Sequence, residues 1–369
     1  MRGIIAALLG ALAAGAAFAG KPSVSAVAAP PTGFASLPAS IGGRVSSEGA
    51  AGGYKYQWPG AYFETAFEGR SLYFRVGPGD VNLRVTVDAQ EPATLSKPAP
   101  GWYVIEGLDA GAHTVRVAVA NESQAGPNLF GGFALAPDAR PLPAPRRARQ
   151  IEFIGDSHTV GYGNTSAERE CNDEKIWSTT DNTQGLGALT AARYNADYRV
   201  HAISGRGIVR NFNGFAGDPL PVAYPFILFD KATRDTAASW RPQLIVISLG
   251  TNDFSTPLNP GEKWKTRAEL HADYEASYVQ FVHALRARNP QAHFLLWSTD
   301  GANGEIQAEV KAVVARLKAA GEDRVGFIAV NGLTFSGCNW HPSVADDRTI
   351  SDALIQAIEA NPAVWKKTD

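Results

Sequence analysis

From Gln150 onwards the chain alternates short, almost wholly apolar runs with longer helical stretches, and few folds accommodate that pattern. The runs at 151–154, 198–203, 244–249, 293–297 and 325–330 are too apolar for strands with one wet face. They suit strands covered on both sides. Helical periodicity fills the intervals, most clearly at 268–288 and 305–319. Strand–helix alternation of this kind implies right-handed β-α-β crossovers, hence a three-layer α/β/α domain around an open parallel sheet over residues 150–369.

The preceding hundred residues have a different texture. Segments such as 62–67, 72–76, 81–87 and 113–119 are short, and the last two alternate apolar and polar side chains. Gly77-Pro78-Gly79-Asp80 and Asp109-Ala110-Gly111 supply turns between them. Many short strands with frequent turns predict a small β-sandwich of jelly-roll type over 38–136. Residues 137–149, rich in Pro and Arg, read as a linker, and 20–37, rich in Ala, Pro and Ser, as a flexible lead-in. At the N-terminus, Arg2, an apolar run at 4–18 and Ala17-Phe18-Ala19 form a secretory signal with cleavage near Ala19. That run is shorter than the ~20 residues of a spanning helix. The mature protein is therefore expected to be secreted or periplasmic, with no membrane contact after cleavage.

With 34 Lys+Arg against 36 Asp+Glu, no strongly basic surface for nucleic acid is expected. Two cysteines, Cys171 and Cys338, exclude a disulfide scaffold and a cysteine zinc cluster. His113, His201, His271, His283 and His293 have no metal-ligand spacing and read as structural, so no metal is expected.

In an open parallel sheet, ligands bind at the carboxyl ends of the strands. The first strand runs into Gly155-Asp156-Ser157-His158, the second into Ser204-Gly205-Arg206-Gly207, and the third into Gly250-Thr251-Asn252-Asp253. The fifth is followed, after a loop, by Asn339-Trp340-His341-Pro342. Each block alone is also good turn and capping material. Together they bring a serine, a glycine amide, an asparagine and a histidine to one rim. Those are the parts of an acyl-transfer site.

These blocks resemble those of the SGNH (GDSL-type) hydrolases, with Ser157, Gly205, Asn252 and His341 on the four defining roles. A β-sandwich followed by the blocks at 155–164, 204–208 and 337–342 resembles, more narrowly, carbohydrate esterase family 2. That resemblance implies removal of O-acetyl groups from acetylated xylan or glucomannan by a serine esterase without a cofactor. Ser157 would be the nucleophile and His341 the general base. The N–H groups of Ser157 and Gly205 and the Asn252 amide would form the oxyanion hole. Trp340 is a candidate sugar-stacking residue, and a monomer is expected.

Two departures bear on mechanism. Most of the superfamily has an aspartate three residues before the histidine, where this chain has Cys338. Asn339 beside it is no acid either, so a backbone carbonyl within 337–340 is expected to hold His341 Nδ1. His158 replaces the usual apolar residue after the serine and reads as a first-turn helix residue. Asp346 and Asp347 read as solvated or capping residues of the last helix, and Trp297 as core or pocket wall. As the only cysteines of an exported chain, both in loops at the rim, Cys171 and Cys338 are expected to form a disulfide. The sandwich shows no exposed aromatic row and reads as a cap building one wall of the cleft. The rival readings are a lipase- or thioesterase-like hydrolase, for which no lid segment is evident, and a catalytically weak carbohydrate-binding protein.

Overall fold

A computed structural model describes residues 22–47, 53–88, 90 and 93–366. The signal segment 1–19 lies outside the described residues.

The described residues between 23 and 142 form two packed antiparallel sheets. One runs Ser23–Val27, Gly101–Glu106, Leu72–Val76, Asn128–Leu135, Tyr54–Tyr56, Val45–Ser47, with Ala35–Leu37 also pairing to Asn128–Leu135. The other runs Arg140–Leu142, Tyr62–Gly69, Gly111–Val119, Asn82–Val87, Ala93–Ser96, with Ser40–Gly42 also on Tyr62–Gly69. Alternation decides what is inside. Leu83, Val85 and Val87 face Val115, Val117 and Val119 across one pair, and all six are buried. Phe63, Phe74, Phe130 and Tyr103 fill the space between the sheets.

Two expectations need correction here. The lead-in is not flexible between 23 and 37: Ser23–Val27 adds an edge strand to Gly101–Glu106, and Leu37 is buried in the sandwich core. The apolar residues that do this, Val24 and Leu37, are too isolated among Pro, Ser and Ala to show a period. The linker is likewise shorter than 137–149, because Arg140–Leu142 pairs with Tyr62–Gly69. Strand Pro141 is tolerated there because the segment is a sheet edge.

The second half builds a five-stranded parallel sheet in the order Ala196–Ala202, Arg149–Gly155, Leu244–Ser248, His293–Thr299, Val325–Val330. Helices Arg267–Arg288 and Glu305–Ala319 cover one face, and Leu186–Arg193 and Val344–Ala360 the other. Local chemistry marks their starts. Thr266 Oγ1 accepts from the Glu269 N–H at 3.2 Å, and Ser343 with Asp346 forms a capping box. Chain order reverses between the first strand and the third, so the crevice lies where Gly155 and Ser248 end side by side.

The two halves are clamped together. Arg44 of the sandwich pairs with Asp235 at 2.8 Å and donates to the carbonyls of Tyr224 and Phe226. Trp58 Nε1 donates to the Phe226 carbonyl at 3.1 Å. Arg147 in the connection bridges Glu64 (2.6 Å) to Asp197 (3.0 Å). Among the described residues no helix is long and apolar enough to cross a membrane.

Candidate active site

Ser157 opens the short helix Ser157–Val160 at the end of the first strand. Asp156 caps that helix, its Oδ1 accepting from the His158 N–H at 3.0 Å. The serine is thereby held at the crevice, and its Oγ lies 2.9 Å from His341 Nε2. The other ring nitrogen, Nδ1, is 3.0 Å from the Cys338 carbonyl and 3.1 Å from the Asn339 carbonyl. Carbonyls only accept, so Nδ1 carries the proton and Nε2 is the acceptor facing the serine. Burial lowers the His341 pKa below the ordinary value of 6.5, although the two carbonyls pull it up. A neutral base is therefore present at neutral pH. The Tyr162 ring backs the imidazole at 4.3 Å between centroids.

The histidine loop is held from the far side by Cys171, which is bonded to Cys338. Asn339 donates its N–H to the Arg169 carbonyl at 2.5 Å, and its Oδ1 accepts from the Cys171 N–H at 3.3 Å. Asn339 and Trp340 both have left-handed backbone, at φ 49° and 57°. Such conformations cost on the order of 1–3 kcal/mol each and persist where surrounding bonds over-determine them. Gly163 lets the two loops meet: a Cβ there would lie 2.3 Å from Cys338 Cβ.

In the segment after the second strand of the parallel sheet, Gly205 adopts φ 82°, which a side chain would oppose. Among the described residues, the N–H groups of Ser157 and Gly205 have no protein acceptor and remain available. Asn252, on the short helix Thr251–Phe254, is different. Its Nδ2 donates to the Arg206 carbonyl at 2.8 Å and to Asp156 Oδ2 at 3.2 Å, so both amide protons are engaged at rest. An oxyanion would have to draw one of them away, and the longer contact to Asp156 is the weaker hold. Burial and the neighbouring Asp253 push the Asp156 pKa up to about 7. Burial raises Asp253 to about 6 against three backbone N–H groups that favour its charge.

Sequence reading took Asp253 as turn material. In the fold its carboxylate collects the N–H groups of Ile208 (3.0 Å), Val209 (2.9 Å) and Arg210 (2.9 Å), and so anchors the Gly205 loop to the Asn252 helix. Its place directly after Asn252 was the only available signal. Glu122 and Gln124, which reach Ser204 from the sandwich, had none. His158 lies in the first turn, as expected, and is buried with its ring 5.7 Å from that of His341. Trp297 is core. Asp346 caps its helix through Ser343, but Asp347 is not solvated: it is fully buried and accepts from Asn164 Nδ2 at 2.9 Å. Neither carboxylate bonds His341. Trp340 is 59% exposed on the histidine side, and Phe215, 41% exposed, lies against Gly205 on the other.

The GDSL-like lipase/acylhydrolase family model matches residues 153–356, and the carbohydrate esterase 2 N-terminal model matches 41–145. An acetylxylan esterase / glucomannan deacetylase of Cellvibrio japonicus is 47% identical over 333 residues, which are 89% of this chain and 92% of that protein. The chain belongs to carbohydrate esterase family 2. Its architecture, a β-rich N-terminal domain before a GDSL-type α/β domain, is that of family-2 structures, and it is a carboxylic ester hydrolase acting on carbohydrate. A solved carbohydrate esterase, described as having divergent catalytic and non-catalytic binding functions at its active site, shares the family-2 fold at TM-score 0.84. It is 45% identical, with 90% of this chain and all of that one covered. A family-2 esterase from Clostridium thermocellum, solved with cellohexaose, matches at TM-score 0.76 and 26% identity, covering 90% of this chain and all of that one.

Proposed function

We propose that this family-2 esterase is an exported, monomeric O-acetyl esterase that deacetylates hemicellulose, xylan or glucomannan, through an acetyl-enzyme on Ser157. The observation that carries the reading is the 2.9 Å contact between Ser157 Oγ and an imidazole whose Nδ1 rests on backbone carbonyls. Ser157 Oγ attacks the acetyl carbonyl while His341 Nε2 takes its proton, then returns it to the departing sugar oxygen. Water, activated by the same nitrogen, attacks the acetyl-enzyme; acetate leaves and Ser157 recovers its proton. The free N–H groups of Ser157 and Gly205, joined by Asn252 Nδ2, stabilise the negative oxygen of each tetrahedral intermediate. Trp340 offers an exposed face to the sugar ring beside the scissile ester.

Support for the substrate class comes from the Cellvibrio relative named for both acetylxylan and glucomannan. The test is acetate release from acetylated xylan and glucomannan, with 4-nitrophenyl esters of increasing chain length. Acetyl-selective hydrolysis is expected. Faster turnover of long acyl chains would replace this reading with a lipase-like one. Export is tested separately, by N-terminal sequencing of the protein from the producing cells' exterior or periplasm, with cleavage expected near Ala19.

A further inference from the structure

The sandwich reaches the rim of the candidate active site. The loop joining Gly111–Val119 to Asn128–Leu135 crosses to the α/β domain and closes on Ser204, the residue before Gly205. Glu122 Oε1 accepts from the Ser204 N–H at 2.8 Å, and Gln124 Nε2 donates to the Ser204 carbonyl at 3.1 Å. That carbonyl and the Gly205 N–H belong to one peptide plane, so fixing the first aims the second. Gln124 Nε2 also donates to Glu122 Oε1 at 3.2 Å, which aligns the pair.

The loop that carries them is stiffly built. Asn121 Oδ1 accepts from the Asn82 N–H at 2.8 Å, Ser123 Oγ donates to the Gly126 carbonyl at 2.7 Å, and the Ala120 carbonyl accepts from the Asn182 N–H at 2.7 Å. At the other end of the Gly205 segment stands Asp253 with its three backbone N–H groups. The segment is therefore suspended between two carboxylates, one from each domain. The glycine between them has no side chain to restrict its rotation.

Resting on the acetyl-transfer reading above, we infer that Glu122 and Gln124 are positioning residues supplied by the sandwich, which direct the Gly205 N–H at the oxyanion. An oxyanion donor contributes only when it is already aimed at the place where charge develops. A hydrogen bond onto the peptide carbonyl also polarises the N–H of the same peptide. Loss of Gln124, or of Glu122, which holds the Ser204 N–H and aligns Gln124, should therefore weaken transition-state stabilisation and leave sugar binding alone.

The experiment compares Glu122→Ala, Glu122→Gln and Gln124→Ala with the wild type. It reads kcat and KM on 4-nitrophenyl acetate, the inhibition constant of methylboronic acid (which forms a tetrahedral adduct on a serine) and the thermal midpoint. Glu122→Ala should lower kcat about 10- to 100-fold and weaken the boronate by a similar factor, with KM within twofold, since removing one donor outright costs on the order of 10²–10³. Glu122→Gln keeps an acceptor for the Ser204 N–H and should stay within about threefold of wild type. Gln124→Ala, at an exposed side chain, should lose about fivefold in kcat, and it decides the matter should Glu122→Ala not fold. A kcat and boronate affinity within twofold of wild type in Gln124→Ala and in any folded Glu122→Ala overturn the inference. So does a loss that Glu122→Gln shares in full. Boronate affinity does not depend on which ester is the substrate, so a wild type inactive on acetyl esters would refute the acetyl reading and leave this one to be judged on boronate.

Discussion

Breaking the Cys171–Cys338 bond should slow catalysis as well as destabilise the protein. The bond spans 167 residues of sequence. In the chain-entropy model a loop of that length is worth about 5 kcal/mol. At 2–4 °C per kcal/mol for a domain of this size, the Cys171→Ser/Cys338→Ser protein should melt roughly 10–20 °C lower. The catalytic effect is separate. Cys338 supplies one of the two carbonyls on His341 Nδ1, and Asn339 the other, on a loop with two left-handed residues. Released from Cys171, that loop keeps the Asn339 contacts to Arg169 and Cys171 but loses its covalent anchor. A hydrogen bond to a charged group is worth about 1.5–3 kcal/mol, and the imidazole becomes charged in the transition state. Loss of most of one such bond corresponds to a roughly 10- to 100-fold fall in kcat. The assay is kcat on 4-nitrophenyl acetate at 25 °C, well below either melting point, with folding checked by circular dichroism. A folded double variant turning over within twofold of wild type would refute the reasoning.

Ser157→Ala should lose at least ~10³-fold in turnover with an unchanged melting point, and Asn252→Ala roughly 10²–10³-fold, as expected for nucleophile and oxyanion donor; a near-normal Ser157→Ala would end the acyl-enzyme mechanism. The acid limb of the kcat/KM profile should have its midpoint below 6.5, because burial favours neutral His341, the form that accepts the serine proton, down to lower pH than in a free imidazole. A midpoint above 6.5 would show a carboxylate partner raising it. Asp346→Asn should change turnover less than about threefold, since that carboxylate is spent on Ser343 and Thr334; this is checked by the same assay, and a loss on the scale of Ser157→Ala would make Asp346 the missing acid.

Much of the architecture is legible in the sequence. The α/β half declared itself because strands buried on both faces must be nearly all apolar, and the helices 267–288 and 305–319 matched their periodic stretches within a residue. The sandwich strands at 82–87 and 111–119 were readable by alternation. Strands of three to five residues in the lead-in and linker were not, since a single buried side chain such as Leu37 makes no period.

The sequence by itself determined which residue types stand at the strand ends: Ser157, Gly205, Asn252 and His341, and no acid three residues before the histidine. It also implied that the only two cysteines would pair. What only the tertiary structure decided is how these groups act on one another. The proton on His341 Nδ1 goes to carbonyls in a loop whose backbone bends into the left-handed region at Asn339 and Trp340, which side-chain chemistry does not announce. Asp253 and Glu122 became holders of the Gly205 loop because packing brought their carboxylates onto backbone N–H groups, and burial beside Asp253 pushed the Asp156 carboxyl up to about 7. Local patterns are written in periods of two and 3.6 residues. A bond such as Glu122 to Ser204, across 82 residues and two domains, exists only once both domains have folded and met.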